Sequence, residues 1–108
     1  MFARHVSMNL RTNSAAEFSR VIENEVLPLL RKQKGFRDEI TFVNSERLLA
    51  VGISLWDTKE DAEAYSRTGY SDVAKALSEV VEGTPRVETF EVANSTFQKA
   101  AAAGEIII

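Results

Sequence analysis

The sequence predicts an α+β domain in which four strands and two helices follow one another in the order β-α-β-β-α-β. Three observations support this order: an alternating apolar and polar stretch at the start, two stretches with apolar residues at helical spacing, and an apolar hairpin between them. A chain of 108 residues is long enough for one domain with a hydrophobic core. We assign residues 1–94 to this domain and residues 95–108 to a C-terminal tail.

The first strand is predicted over Phe2–Arg11, where apolar and polar residues alternate. In the helix that follows, apolar residues recur at helical spacing from Phe18 to Leu30. Ser14 begins a capping-box pattern at the start of this helix. Pro28 removes an N–H inside the helix, which predicts a kink there. Gly35 is typical of the position just after a helix.

The middle of the chain is predicted to form a hairpin that leads into a second helix. Phe36–Val43 alternates, and Leu48–Leu55 is almost entirely apolar, with a short polar link between the two. Trp56, the only tryptophan, closes the second of these strands. Either Asp57 or Thr58 can cap the helix, because each side chain has an oxygen that accepts from a free N–H of the first turn.

The second helix and the last strand complete the order. Gly69 interrupts the helix, and Ser71 is a candidate cap for its second piece. Gly83 is predicted to end that piece, and Pro85 prevents it from resuming. The last strand is predicted over Arg86–Ala93.

This order is that of the ferredoxin-like fold, an antiparallel four-stranded sheet with both helices on one face. Side-chain parity separates the two faces of the sheet without showing which face meets the helices. Both sets contain many apolar residues, so we expect a homodimer that pairs the sheet faces left free by the helices. The more apolar set comprises Phe36, Ile40, Phe42, Leu49, Val51, Ile53 and Leu55.

Composition excludes several classes of function. The chain has no cysteine, which removes thiolate nucleophiles and cysteine-based metal sites, and its one histidine cannot form a multi-histidine metal site. A net charge of −3 without a basic patch disfavours nucleic acid as a partner. No stretch has the apolar length of a membrane helix, and MFARHVSMNL lacks the apolar core of a signal peptide. We therefore expect a cytoplasmic protein without a membrane partner.

Three stretches resemble the antibiotic biosynthesis monooxygenase (ABM) domain family: EVLPLLRKQKGF, ISLWDTKEDAEAY and EGTPRVETFEV. The resemblance covers about residues 2–97. It implies the dimeric α+β barrel fold and, for the monooxygenases of the family, oxidation of small aromatic compounds without metal or flavin, so no cofactor is expected. Haem-degrading members carry a histidine near the position of Lys75, so haem degradation is not expected here.

Four residues are candidates for catalysis. Asn9 resembles an asparagine that haem-degrading members place in their pocket, and its amide could hold a substrate oxygen or O₂. Trp56 resembles a tryptophan of the related monooxygenases and could stack on a flat ligand. Tyr65 stands where haem-degrading members carry an aromatic residue. His5 is a candidate general base. For each of them the sequence leaves a purely structural role open.

Other polar residues are candidates for substrate binding. Tyr70 could donate a hydrogen bond to a phenol or quinone, as Tyr65 could. Arg11, together with Arg37 and Glu39, could orient an anionic substrate or form ion pairs between subunits.

Three hypotheses of function remain open from the sequence. The chain could be an ABM-type monooxygenase that acts without a cofactor on a phenol, quinol or anthrone. It could instead be a non-catalytic dimer that binds a small molecule or a protein, which a wholly apolar pocket would favour. The third hypothesis is a cofactor-free isomerase on the same fold.

Overall fold

The computed structural model describes residues 1–97 and contains an antiparallel four-stranded sheet. The strands are β1 (Phe2–Leu10), β2 (Phe36–Asn44), β3 (Leu49–Trp56) and β4 (Val81–Glu91). The helices are α1 (Ala15–Val21), α2 (Leu27–Arg31), α3 (Lys59–Thr68) and α4 (Tyr70–Leu77), with a π-helical segment at Ile22–Val26 between α1 and α2. The strand order β2-β3-β1-β4 confirms the predicted ferredoxin-like α+β fold. Most of the predicted tail, residues 98–108, lies outside the described residues.

The core lies between one face of the sheet and the helices. Every second residue of β1 and β3 points towards the helices, which separates buried Met8 and Leu10 from exposed Asn9. Trp56 at the end of β3 and Phe18 in α1 are fully buried. The other buried side chains of the helices face the same space; they include Val26, Leu30, Ala62, Tyr65, Val73 and Leu77.

Pro28 coincides with a change in helical geometry. Between α1 and α2 the backbone is π-helical, and the Leu27 N–H donates to the Ile22 carbonyl, five residues earlier. Pro28 lies in the first turn of α2, where a missing N–H costs least.

The predicted cap at Ser14 is wrong: Ser14 occupies the N-cap position, but its side chain does not bond to the first turn. At α3 the predicted cap is confirmed, because Thr58 Oγ1 accepts from the Asp61 N–H at 3.0 Å.

The predicted boundary between the last helix and the last strand is also wrong. Helix α4 ends at Leu77, and β4 begins at Val81 and continues through Gly83 and Pro85. Ser7 pairs with Arg86 and Asn9 pairs with Glu82, so one residue of β1 faces three residues of β4. Gly83 has a φ of 74° in this bulge. Glycine and proline therefore mark a bulge in an edge strand, where both are tolerated, and not the end of a helix.

A second bulge changes the side on which one aromatic residue lies. Phe36 pairs with Trp56 and Asp38 pairs with Leu55, so Arg37 is an extra residue in β2. Phe36 consequently packs against the core, with its ring centroid 5.6 Å from that of Trp56. The prediction that Phe36 shares a face with Ile40 and Phe42 is wrong for this reason.

Helix α4 starts at Tyr70, with Gly69 at its N-cap and no side-chain cap, so the predicted cap at Ser71 is wrong as well.

The helices leave the opposite side of the sheet uncovered, and we call this side the open face. It presents Ile40, Phe42 and Phe90, which are 47%, 53% and 51% exposed. Within residues 1–97, no helix has the length and apolar character needed to cross a membrane.

Candidate functional site

A cavity of about 340 Å³ lies between the sheet and the helices. Its floor is formed by the helix-facing side chains of β1, β2 and β3, and its roof by the π-helical segment, α2, α3 and α4. The bulge of β4 forms part of its rim. Most of the lining is apolar, with Val6, Met8, Ile22, Val26, Leu30, Val73 and Leu77. The polar side chains in the lining include Arg4, Arg11, Glu39, Thr41, Ser54, Tyr65 and Tyr70.

Three of the polar residues form a line across the floor. Ser54 of β3 pairs with Arg4 of β1 on one side and with Glu39 of β2 on the other. Paired residues in a sheet point to the same face, so all three side chains point towards the helices. We call these residues the polar row. Neighbouring strands are about 4.8 Å apart, which separates the backbones of Arg4 and Glu39 by roughly 10 Å.

Arg4 is a buried cation. Its residue is 3% exposed, and its guanidinium carbon lies 5.0 Å from the ring centroid of Tyr65 and 4.8 Å from that of Tyr70. Burial lowers the pKa of Arg4 from its usual value, while the two tyrosines oppose this shift. An arginine retains its charge at neutral pH even so, because its usual pKa is far above 7.

Tyr65 is held in place by Trp56. The two rings are stacked, with centroids 4.9 Å apart and an angle of 27° between their planes. The Trp56 Nε1–H donates to Ser54 Oγ at 2.9 Å, so the buried tryptophan positions two residues of the cavity lining without lining it itself. Burial raises the pKa of Tyr65 to about 12, which keeps its hydroxyl protonated and able to donate.

Glu39 contributes a carboxyl group to the lining of the cavity. Burial raises the pKa of the Glu39 carboxyl, and a hydrogen bond from the Thr41 hydroxyl partly opposes this shift. Gly52 of β3 pairs with Thr41, and a Cβ added at Gly52 would lie 3.5 Å from Glu39 Oε2. The missing side chain therefore leaves space beside the carboxyl group. A carboxylate with a raised pKa is better suited to accept a proton near neutral pH than an ordinary one.

The structure brings together some of the predicted site residues and separates the others. Tyr65, Tyr70 and Arg11 line the cavity. Asn9 and His5 lie on the open face, on the opposite side of the sheet from the cavity. The ring of His5 packs edge-on against Phe90 of that face at 6.4 Å, and its Nδ1 is buried without a hydrogen-bond partner among the described residues.

The structure also shows where the three charged residues lie for which the sequence left substrate binding and ion pairing open. Glu39 lines the cavity, whereas Arg37 forms an ion pair with Asp57 of the same chain at 2.7 Å. Arg11 is exposed at the cavity mouth, where its Nη2 donates to the Ser78 carbonyl at 3.4 Å.

Sequence reasoning missed Arg4 and Ser54. A signal for Arg4 was present, because position 4 has the same parity as Phe2, Val6 and Met8 on β1. A charged residue within an otherwise apolar strand face is either paired or functional. Ser54 gave no comparable signal, since a serine in a strand is compatible with either face.

The residues that the structure describes contain no group of three or more His, Cys, Asp or Glu side chains arranged to hold a metal ion.

Comparison with known proteins supports the fold. Neither a protein-family model nor a curated protein matches the sequence. Among solved structures, SnoaB from Streptomyces nogalater, a cofactor-independent oxygenase, is 18% identical with a TM-score of 0.69; the match covers 87% of this chain and 94% of SnoaB. The monooxygenase from the gene ActVA-Orf6 of Streptomyces coelicolor, solved with nanaomycin D, is 14% identical with a TM-score of 0.73 and coverages of 91% and 92%.

A third similar structure is the NE2512 protein of unknown function from Nitrosomonas europaea. It is 12% identical, with a TM-score of 0.72 and coverages of 89% of this chain and 92% of that protein. At these identities the likeness concerns the fold. The chain thus has the fold of the antibiotic biosynthesis monooxygenases, the family that its sequence resembles.

Proposed function

We propose that the chain is a cofactor-independent monooxygenase that oxidises a small aromatic substrate, such as a phenol, quinol or anthrone, in the cavity beneath the helices. The observation that carries this proposal is Glu39, a carboxyl group with a raised pKa, in a cavity that is otherwise mostly apolar. The likeness in fold to cofactor-independent oxygenases agrees with it.

The proposed reaction needs a base and a water-poor cavity. Glu39 accepts a proton from the substrate, which becomes a carbanion or phenolate that reacts with O₂ directly. The hydroxyls of Tyr65 and Tyr70 donate to substrate oxygens. For an anthrone, the methylene carbon loses two hydrogens and gains one oxygen atom, and the second oxygen atom leaves as water. The electrons come from the substrate, so no external reductant is required.

The polar lining favours an enzyme over a simple binding protein. A wholly apolar cavity would have suited the non-catalytic alternative, whereas a carboxyl group, two tyrosines and two arginines line this one. The same base would also serve the isomerase alternative, because an isomerase moves a proton within its substrate. Only the oxygenase consumes O₂, which separates these two enzymes experimentally.

We further propose that the chain forms a homodimer through the open face. Ile40 and Phe42 on one edge strand and Phe90 on the other are each about half exposed on this face, and large exposed apolar side chains on a sheet face are typical of an interaction surface. In such a dimer His5 would lie at the interface, which is one of the roles that the sequence left open for it. Asn9 would lie on the same face.

Oxygen uptake with the anthrone dithranol tests the proposed reaction. We expect the Glu39→Gln variant to lose about 10²- to 10⁴-fold in kcat/KM, the usual contribution of a general base. We expect kcat/KM of the unmodified chain to rise with pH through a pKa above that of an ordinary glutamate, because the base must be ionised. Glu46→Gln, in an exposed turn, is the matched control. Uptake that is absent, or equal in the Glu39 variant, would contradict the proposal.

A further inference from the structure

We propose that the natural ligand of the cavity is an aromatic compound that carries a carboxylate group, and that Arg4 binds this carboxylate. This inference rests on the proposed function only in placing the substrate in the same cavity. It specifies the substrate class, which the fold and the base leave open.

The first observation is that Arg4 is buried without an anionic partner. Within residues 1–97 the ion pairs join Arg20 to Glu17 and Arg37 to Asp57. No side-chain hydrogen bond in this part of the chain involves Arg4. Buried charges in proteins are normally paired, so an unpaired cation that lines a cavity indicates that the partner is supplied by the ligand.

The two tyrosines do not replace this partner. Tyr65 and Tyr70 attract the charge of Arg4 through cation–π contacts. Such contacts supply no acceptor oxygen in the plane of the guanidinium. A carboxylate supplies two acceptor oxygens at the spacing of the guanidinium N–H groups, which is why arginine and carboxylate pair in a bidentate manner.

The polar row sets the direction in which such a ligand binds. Arg4 and Glu39 lie at opposite ends of the row, with Ser54 between them and with backbones roughly 10 Å apart. A ligand carboxylate at the Glu39 end would meet a like charge. With its carboxylate at Arg4, the ligand presents its phenolic or benzylic proton to Glu39. The row therefore binds one end of the substrate and deprotonates the other.

Arg11, the other arginine of the lining, is less suited than Arg4 to bind the ligand carboxylate. Arg11 is exposed at the mouth and already donates to the Ser78 carbonyl. A charge in contact with solvent is screened, so its pairing with a ligand contributes little. Arg11 is consequently a matched control, since it carries the same charge on the same cavity.

Isothermal titration calorimetry at neutral pH, with two ligands of nearly equal shape, tests the proposal. The probes are 6-hydroxy-2-naphthoate and 6-hydroxy-2-naphthamide, which differ in the charge of one group. We expect the unmodified chain to bind the carboxylate about 10- to 100-fold more tightly than the amide, the usual worth of a charge-assisted hydrogen bond. Arg4→Met should remove this preference while the amide still binds, and Arg11→Met should retain most of it.

Equal binding of both probes by the unmodified chain, or a preference that survives Arg4→Met, would overturn the proposal. An Arg4→Met variant that no longer oxidises dithranol but keeps the preference for the carboxylate probe would also overturn the proposal. Arg4 would then act only on charge formed during the reaction. The binding assay needs no turnover. A carboxylate preference without any oxygen uptake supports this inference and contradicts the proposed monooxygenase, so the two failures are distinguishable.

Discussion

Replacing Arg4 with methionine should make the protein more stable. The substitution removes a cation that folding transfers from water to a site where it is 3% exposed. Burying an unpaired ion costs several kcal/mol even after the surroundings relax. The two cation–π contacts, at 5.0 Å and 4.8 Å, each offset about 2 kcal/mol of this cost.

Methionine is unbranched and uncharged, and although it is shorter than arginine it can occupy the place of the aliphatic stem. Its burial contributes about 1.5–3 kcal/mol, although the aliphatic stem of arginine already provides part of this. The sum favours the variant, and we expect Arg4→Met to raise the free energy of unfolding by about 1–3 kcal/mol. A gain in stability on removing a charged residue is typical of sites where function opposes stability.

Urea denaturation followed by Trp56 fluorescence measures this difference, since Trp56 is fully buried and is the only tryptophan. Both proteins are compared at one chain concentration, because the proposed dimerisation would shift the apparent stability. Arg11→Met, which changes an exposed arginine, should stay within about 0.5 kcal/mol of the unmodified chain. An Arg4→Met variant that is less stable by more than about 1 kcal/mol would refute the reasoning, because the tyrosine contacts would then outweigh the cost of burial.

The remaining predictions concern Glu39 and the open face. The folded state raises the pKa of Glu39, so it holds this proton more tightly than the unfolded chain does. The stability of the unmodified chain relative to Glu39→Gln should therefore fall as pH rises from the usual glutamate pKa through the raised one, and a pH-independent difference in urea denaturation would contradict this. Phe42→Glu should convert the proposed dimer into a monomer, as measured by light scattering, because it places a charge on the open face. Val43→Glu, next to it but on the helix-facing side of β2, is the control; a monomeric unmodified chain would contradict the proposed dimer.

The fold could be predicted from the sequence because its signals are periodic. Alternation predicted β1, and apolar residues at helical spacing predicted the helices. The bulges could not be predicted, because alternation does not show where a strand contains an extra residue. The extra residue Arg37 moves Phe36, which precedes it, to the other face of the sheet. The same limitation made Gly83 resemble a helix terminator when it lies within a strand.

The site could be predicted only in part. Tyr65 lies in α3, whose register follows from the apolar spacing, whereas Tyr70 is the first residue of α4; both line the cavity. Which sheet face meets the helices follows from packing of the whole chain, and this choice decides that Arg4 lies beside the cavity and that His5 does not. Parity alone separates these two residues without assigning either of them to the site.

The most direct test of whether the cavity is the place of binding and reaction is to fill it. A Cβ at Gly52 would lie 3.5 Å from Glu39 Oε2 and 3.9 Å from Met8 Cε, which are ordinary contacts. Gly52→Val therefore adds two methyl groups beyond a tolerated Cβ, and valine suits a strand better than glycine does.

We expect Gly52→Val to unfold at the same urea concentration as the unmodified chain or at a higher one. Its affinity for 6-hydroxy-2-naphthoate and its kcat/KM for dithranol should each fall at least about 10-fold, with Gly52→Ala between the two. A folded Gly52→Val variant that binds and oxidises as the unmodified chain does would contradict the assignment of the cavity as the functional site.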